Sequence, residues 1–333
     1  MSFIKEIIHE LAQKSSDHWG RSIFLFPSKR PCLMLKKELS EQIQGTFWAP
    51  ECWAIADFLS HFSSLKKADN MALVLELYQC YLDIKPQQTE AMSLRKFFPL
   101  GETLLSDFSD IDRDLVDADT LFNGLSQLHL LDKKDFLDQE QRANIRTFWK
   151  HFSTKEPMNL QREFLELWSL MGGLYTRLNE VLLAKNWAYT GLAEKHLVQE
   201  FDRISEPFKA KKIYVCGFNA LTKAEISLFK KMEDIAEVYY YFDADQHILR
   251  PESEAGHFIR KNAKLLSVDT SSFPDLLSKE EKKLELTAAS GISGMAQALY
   301  YDLAAGLESA DLRQIGIILP DENALLLVGQ LLS

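Results

Sequence analysis

The sequence predicts an α/β fold with a parallel sheet, interrupted by a large block made of helices alone. Three observations predict it. Short apolar runs at Ile23–Phe26, Ile213–Val215 and Val238–Phe242 read as strands, each followed by residues at helical spacing. Between the first and second of them, over residues 66–205, strand signals nearly vanish and helical runs follow one another. The chain has 333 residues and is 46% hydrophobic, enough for a large core holding two or more substructures.

Taken in order, Phe3, Ile4, Ile7, Ile8 and Leu11 recur at helical period and predict a first helix. After the strand Ile23–Phe26, Pro27 and Pro31 bracket a polar loop. Leu33, Met34, Leu39 and Ile43 then return to helical period. Phe47–Trp48 reads as a second short strand and Trp53–Phe62 as another helix. In the helical block the runs are Met71–Leu82, Leu94–Phe108, Leu121–Leu130, Gln139–Phe152, Leu160–Ala184 and Thr190–Ile204, with Pro86, Pro99 and Pro157 between runs. Strands return at Ile213–Val215, Val238–Phe242, Leu284–Leu286 and Ile315–Leu319. Helical patterns at Lys223–Met232, Ser253–Leu265 and Gly294–Leu307 separate them, and Asn323–Leu332 follows. Such alternation argues a parallel sheet covered on both faces. The expected organisation is therefore 1–65 and 206–310 as two parts of one α/β domain, 66–205 as a helical insertion, and 311–333 as the start of a further, truncated domain of a longer parent chain.

Net charge is −10, so the molecule as a whole does not advertise affinity for nucleic acid. Local basic clusters stand out against that background: Lys29/Arg30 with Lys36/Lys37, Lys209/Lys211/Lys212, Arg260/Lys261/Lys264 and Lys279/Lys282/Lys283. Each reads either as a solvated loop or helix end, or as part of a basic groove. The four cysteines, Cys32, Cys52, Cys80 and Cys216, form no C-x-x-C pair and read as structural. No apolar run reaches the length of a membrane span, and Met1–Gly20 lacks a signal-peptide core, so a cytoplasmic location without membrane association is expected.

The motifs that carry chemistry are mostly missing. A phosphate-cradling G-x-x-x-x-G-K-[ST] loop is absent; the first strand runs into Pro27-Ser28-Lys29-Arg30-Pro31, which has no glycine. That loop can still meet a phosphate through Ser28, Lys29, Arg30 and a helix N-terminus. No carboxylate ends the strand Ile213–Val215, where an ATPase would hold magnesium; Cys216-Gly217-Phe218 stands there instead. Asp243 and Asp245 read as strand-end and capping residues or as a cation site. Asp275 with Glu281 and Lys283 mimics a nuclease triad in a loop-like stretch, where adjacent strands are needed. The run Asp107, Asp110, Asp112, Asp114, Asp117, Asp119 fails the EF-hand pattern at Leu115 and Leu121. The apolar spacing of Leu104, Phe108, Ile111 and Leu115 puts the acids mostly on a solvated helix face. His9-Glu10 lacks the second histidine of a zinc motif, because Gln13 stands there. Ser290–Gly294 reads as a turn into a helix with Ser293 as N-cap. No catalytic residues, metal ligands or cofactor are implied.

The segments in order carry a family resemblance. Phe24-Leu-Phe-Pro-Ser-Lys-Arg30, Phe97-Phe-Pro-Leu-Gly-Glu-Thr-Leu-Leu-Ser-Asp-Phe-Ser-Asp-Ile-Asp112, Gly217-Phe-Asn-Ala-Leu-Thr222 with Glu225, Tyr241-Phe-Asp-Ala-Asp245, Glu254-Ala-Gly256 and Ile315-Gly-Ile-Ile-Leu-Pro320 resemble the helicase-like part of AddB/RexB-type recombination proteins. That family is related to UvrD/RecB helicases, carries a C-terminal PD-(D/E)XK nuclease domain and acts in repair of DNA double-strand breaks. The resemblance implies a RecA-like fold in which the nucleotide-hydrolysis residues are missing: a helicase-like, non-hydrolysing scaffold for single-stranded DNA from a nuclease whose nuclease domain is not in this chain. Ser28, Lys29 and Arg30 would contact phosphate, with Asn219 and Thr222 at the mouth of the second strand. The alternative it implies is a protein-interaction module that docks a helicase partner subunit or the parent's missing C-terminal domains.

Overall fold

The structure is a computed structural model that describes residues 3–14, 16–43, 45–85, 91–126, 159–279, 281, 283–306, 315–319, 321–322 and 324–332. The chain divides into two units, Met1–Leu277 and Ser278–Ser333. In the first unit the elements are α1 (Phe3–Lys14), β1 (Ser22–Phe26), α2 (Lys29–Gln42), β2 (Glu51–Ala54), α3 (Ile55–Phe62), β3 (Lys66–Lys67), α4 (Asn70–Ile84), α5 (Leu94–Arg113), α6 (Ala118–Ser126), α7 (Asn159–Ala184), β4 (Trp187–Ala188), α8 (Thr190–Gln199), α9 (Phe201–Ile204), β5 (Lys212–Cys216), α10 (Lys223–Glu233), β6 (Glu237–Tyr241) and α11 (His257–Leu265). The second unit contains α12 (Gly291–Gly306) and α13 (Ala324–Leu332).

The fold is α/β, built on a four-stranded sheet in the order β2-β1-β5-β6 with every neighbouring pair parallel. The central strand β1 is buried along its whole length, as its unbroken apolar run requires. Its alternate residues feed two cores. Phe24 and Phe26, with Tyr214 and Cys216 of β5, pack against Ile4, Ile7, Ile8 and Leu11 of α1 and Leu35 and Leu39 of α2. Ile23 and Leu25, with Ile213 and Val215, pack on the other face against Phe58 of α3, Leu197 of α8 and Leu228 and Phe229 of α10. A separate core joins α4, α5, α7 and α8 through Val74, Leu77, Phe97, Phe108, Leu174, Leu178 and Leu192. The short parallel pair β3 and β4 borders it, with Lys66 opposite Trp187.

Several details depart from the sequence expectation. Phe47–Trp48 is not a strand; β2 lies at Glu51–Ala54. Pro50, which has no N–H to give a ladder, precedes it, and Trp48 is left 86% exposed. The polar loop after β1 is only Pro27-Ser28, because α2 already starts at Lys29 and holds Pro31 in its first turn, where a missing N–H costs nothing. Pro99 lies inside α5 rather than between helices, on its exposed side, where water can satisfy the carbonyl that loses its donor. Leu284–Leu286 and Ile315–Leu319 are not strands: neither has a ladder partner among the described residues, and Leu284, Leu286 and Ile318 are 80%, 89% and 92% exposed. Ser293 is not an N-cap, because α12 begins at Gly291 and Gly294 N–H already donates to the carbonyl of Ser290. The expected helix Gln139–Phe152 and the end of Leu121–Leu130 lie outside the described residues.

Candidate functional site at the carboxyl edge of the sheet

The strand order places a switch point between β1 and β5. From β1 the chain passes through α2 to β2 on one side; from β5 it passes through α10 to β6 on the other. The two connecting helices cover opposite faces of the sheet. At such a point the loops after the two central strands part and leave a crevice at their carboxyl ends, the usual ligand position in open parallel sheets. The loops here are Pro27-Ser28 after β1 and Gly217–Thr222 after β5, and β1 and β5 run in register from Ser22 opposite Lys212 to Leu25 opposite Val215.

On the β1 side, Ser28 is the N-cap of α2 in extended conformation, and its side chain makes no capping hydrogen bond. The first-turn amides of Lys29 and Arg30 have no acceptor within the helix, and no acidic residue occupies that turn. This end of α2 therefore presents two N–H groups, the positive end of a helix dipole, a free hydroxyl and two cationic side chains. Lys29 Nζ lies 3.1 Å from Asp57 Oδ1 of α3, with both side chains well exposed. Such a pair contributes about 0–1 kcal/mol, so Asp57 holds Lys29 loosely. Arg30 is exposed and has no ion-pair partner among the described residues.

The β5 side is rigid by construction. Gly217 takes φ +71°, a left-handed value that favours glycine, and its N–H donates to the carbonyl of Tyr241 at 2.8 Å. Asn219 is exposed, and its carbonyl accepts from Nδ2 of Asn262, which is buried on α11. Thr222 closes the loop as N-cap of α10. Its Oγ1 accepts from Glu225 N–H at 3.1 Å, and Glu225 Oε2 accepts from Thr222 N–H at 2.8 Å. The Thr222 oxygen is thus engaged by the helix, while its proton remains for a ligand. The structure places all five expected residues, Ser28, Lys29, Arg30, Asn219 and Thr222, on the two loops and helix starts that flank the switch point.

Two further residues shape this edge without having stood out in the sequence. Asp57 competes for Lys29, and nothing local signals that, because the two meet only through the β1–β2 pairing. Asn262 does carry a signal: it is the polar member of a buried stripe with Ile259 and Ala263, where an apolar residue is the norm.

In the other basic clusters, several cations are engaged elsewhere. Lys209 pairs with Glu206, and Lys211 pairs with Glu51 at the start of β2, the amino end of the sheet. Arg260 donates to the carbonyls of Ile248, Arg250 and Ser253. Asp245 accepts N–H bonds from His247, Leu276 and Leu277, which outweigh the opposing effect of burial and hold its carboxyl below the ordinary value. Among the described residues no group of three or more His, Cys, Asp or Glu side chains is placed to hold a metal ion. Cys32, Cys52 and Cys216 share one core, and burial pushes each thiol up, Cys52 to about 12.

The acidic run on α5 differs from its expectation at one position. Asp112 is fully buried, not solvated. It accepts from the hydroxyls of Tyr175 and Tyr189 and lies 2.8 Å from Lys195 Nζ. Its burial follows from the end of α5 at Arg113: Leu115 lies beyond the helix with φ +47° and does not extend the apolar stripe.

No protein-family model matches the chain, and no curated protein matches it. The fold and the edge geometry define an α/β protein with a doubly covered parallel sheet and a basic helix start at its switch point. Among the described residues no helix is long and apolar enough to cross a membrane.

Proposed function

We propose that the chain is a helicase-like, non-hydrolysing scaffold that binds single-stranded DNA, of the kind its resemblance to AddB/RexB-type nucleases implies. The observation that supports it most is the switch point itself: Arg30, a cation with no ion-pair partner among the described residues, stands at the carboxyl edge, on a helix start with free amides and no acid. Phosphate oxygens would accept from the amides of Lys29 and Arg30 and from the Ser28 hydroxyl, with both side chains neutralising charge. Asn219 and Thr222 would line the other wall. In this reading the chain acts in the cytoplasm beside a helicase partner subunit and itself cleaves nothing.

Fluorescence-anisotropy titration of labelled single-stranded DNA at two salt concentrations tests the assignment. Lys29→Ala with Arg30→Ala should weaken binding and lower the slope of log affinity against log salt by about 1.4, the share of two phosphate contacts on a single strand. Asp57→Asn, which releases Lys29, should tighten binding a few-fold at low salt. Unchanged affinity in the double variant sinks the assignment.

A second reading has its own support. In the Ser278–Ser333 unit, Leu284, Leu286, Ile318, Leu325 and Leu326 are each more than 60% exposed, a density of bare aliphatic surface that soluble proteins seldom leave uncovered. This favours a docking role for that unit. Concentration-dependent sedimentation that disappears on Leu325→Lys with Leu326→Lys would support docking, and a monomer at every concentration would count against docking to a second copy.

A further inference from the structure

Within the first unit a cavity of about 640 Å³ opens between the α5–α6 turn, α7 and α8, away from the residues of the switch point. Its inner wall carries Lys195, Tyr175 and Asn179, and its outer parts carry Asp117, Asp119 and Glu180. Lys195 is held in place from behind. Its ammonium donates to Asp112 at 2.8 Å and to Tyr175 Oη at 2.9 Å, which leaves one of its three N–H groups unused. Asp112 neutralises it, and Tyr189 completes the support by bonding Asp112 and lying 2.9 Å from Asn179 Oδ1. The lysine is therefore a fixed donor on a rigid base rather than a swinging surface charge. Toward solvent the sign reverses: Asp117, Asp119 and Glu180 are all exposed. Asp117 is engaged with Thr120, and Glu180 with Arg177. Leu115 and Leu183 add exposed aliphatic surface at 36% and 40%.

This layout discriminates among ligands by charge. A phosphate or other dianion would have to pass three carboxylates to reach one already neutralised ammonium. A simple cation would be favoured at the rim but would meet only hydrogen-bond donors on Lys195 inside. A molecule with an acceptor at one end and an ammonium at the other matches both. We propose that the cavity binds a small zwitterion of the α-amino acid type, its carboxylate on the remaining N–H of Lys195 and on Asn179, its ammonium toward Asp119, and its side chain along Leu115, Val116 and Leu183. The site is independent of the DNA reading and stands or falls separately.

Isothermal titration calorimetry of the whole chain with L-leucine, L-glutamine and L-lysine tests it, alongside two truncated forms of leucine, 4-methylpentanoate and isoamylamine. At least one amino acid should bind saturably. Where L-leucine binds, each truncated form should bind about tenfold more weakly, the value of one charge-assisted hydrogen bond. Asp119→Asn, at an exposed position that leaves the Asp112 cluster intact, should weaken amino-acid binding several-fold and leave any 4-methylpentanoate binding unchanged. Absence of saturable heat with all three amino acids overturns the proposal. So does binding of either truncated form as tight as that of L-leucine, or an Asp119→Asn variant that binds the amino acid as the parent does.

Discussion

Asp112 is a carboxylate with no exposed surface, and it is kept there by three groups from far along the chain: Tyr175, Tyr189 and Lys195, which are 63, 77 and 83 residues away. A buried ion of this kind is tolerable only when every lone pair is used, and removing one partner commonly costs about 3–5 kcal/mol. The cluster also has a pH signature. Burial pulls Lys195 down, but its bonds to Asp112 and Tyr175 and the charge of Asp112 outweigh that, so it titrates above its ordinary 10.5. Burial, with hydrogen bonding to Asp112 and its charge, pushes Tyr175 and Tyr189 above 10.0. All three hold their protons more tightly folded than unfolded. Their contribution is fully present below pH 10.0 and is lost as pH rises through the folded values. The urea midpoint should therefore stay level through neutral pH and fall steeply above 10.0, and Tyr175→Phe should make that fall shallower. Parallel falls in the two proteins would remove Tyr175 from the titrating set. At this scale the sequence is uneven. Lys29 and Arg30 are legible because a loop chemistry marks them. Asp112 is not: its burial depends on where α5 stops and on distant tyrosines, neither of which a helical period encodes.

Helices α5 and α8 approach each other closely. A Cβ on Gly191 would stand 2.1 Å from the backbone carbonyl oxygen of Ser109, and backbone cannot rotate aside as a side chain can. Gly191 N–H, in the first turn of α8, donates to Ser109 Oγ at 3.0 Å. Gly191→Ala must push the two helices apart and loosen the packing of Leu105, Phe108 and Leu192, at a cost of about 3 kcal/mol or more. Ser109→Ala removes only the hydrogen bond and should cost about 1 kcal/mol. Urea denaturation of both variants measures the difference, and a Gly191→Ala protein within about 0.5 kcal/mol of the parent would show that the helices do not meet so closely. Element type was largely legible in the sequence, because β1, β5 and β6 are dense apolar runs and α1, α4 and α10 keep a clean period. Pairing was not. Glu51-Cys-Trp-Ala54 carries no more strand character than Phe47–Trp48, and only its register beside β1 selects it. The apolar runs at 284–286 and 315–319 have strand composition without a strand to pair with, and composition alone does not make a ladder.

Among the described residues, the four buried clusters and the partly buried side chains packed on them all lie between Phe3 and Phe273, within the Met1–Leu277 unit. Among the described residues of the Ser278–Ser333 unit, only Ala296, Ala324 and Val328 are buried, two alanines and a valine against a row of bare leucines and isoleucines. Apolar burial is what offsets the conformational entropy of folding, and three small side chains offset little of it for the described residues of that unit. The first unit, in contrast, closes on itself up to its last residues: Asp245 accepts the N–H groups of both Leu276 and Leu277. A protein ending at Leu277 should therefore fold alone, with a single cooperative urea transition followed equally by tryptophan fluorescence and far-ultraviolet circular dichroism. A peptide of residues 278–333 should show no cooperative transition at any temperature. Loss of cooperativity in the shorter protein would mean that the four cores lean on the remaining residues. A sharp transition in the peptide would mean that its exposed aliphatic side chains find one another, and that the second unit owes its stability to self-association rather than to its own interior.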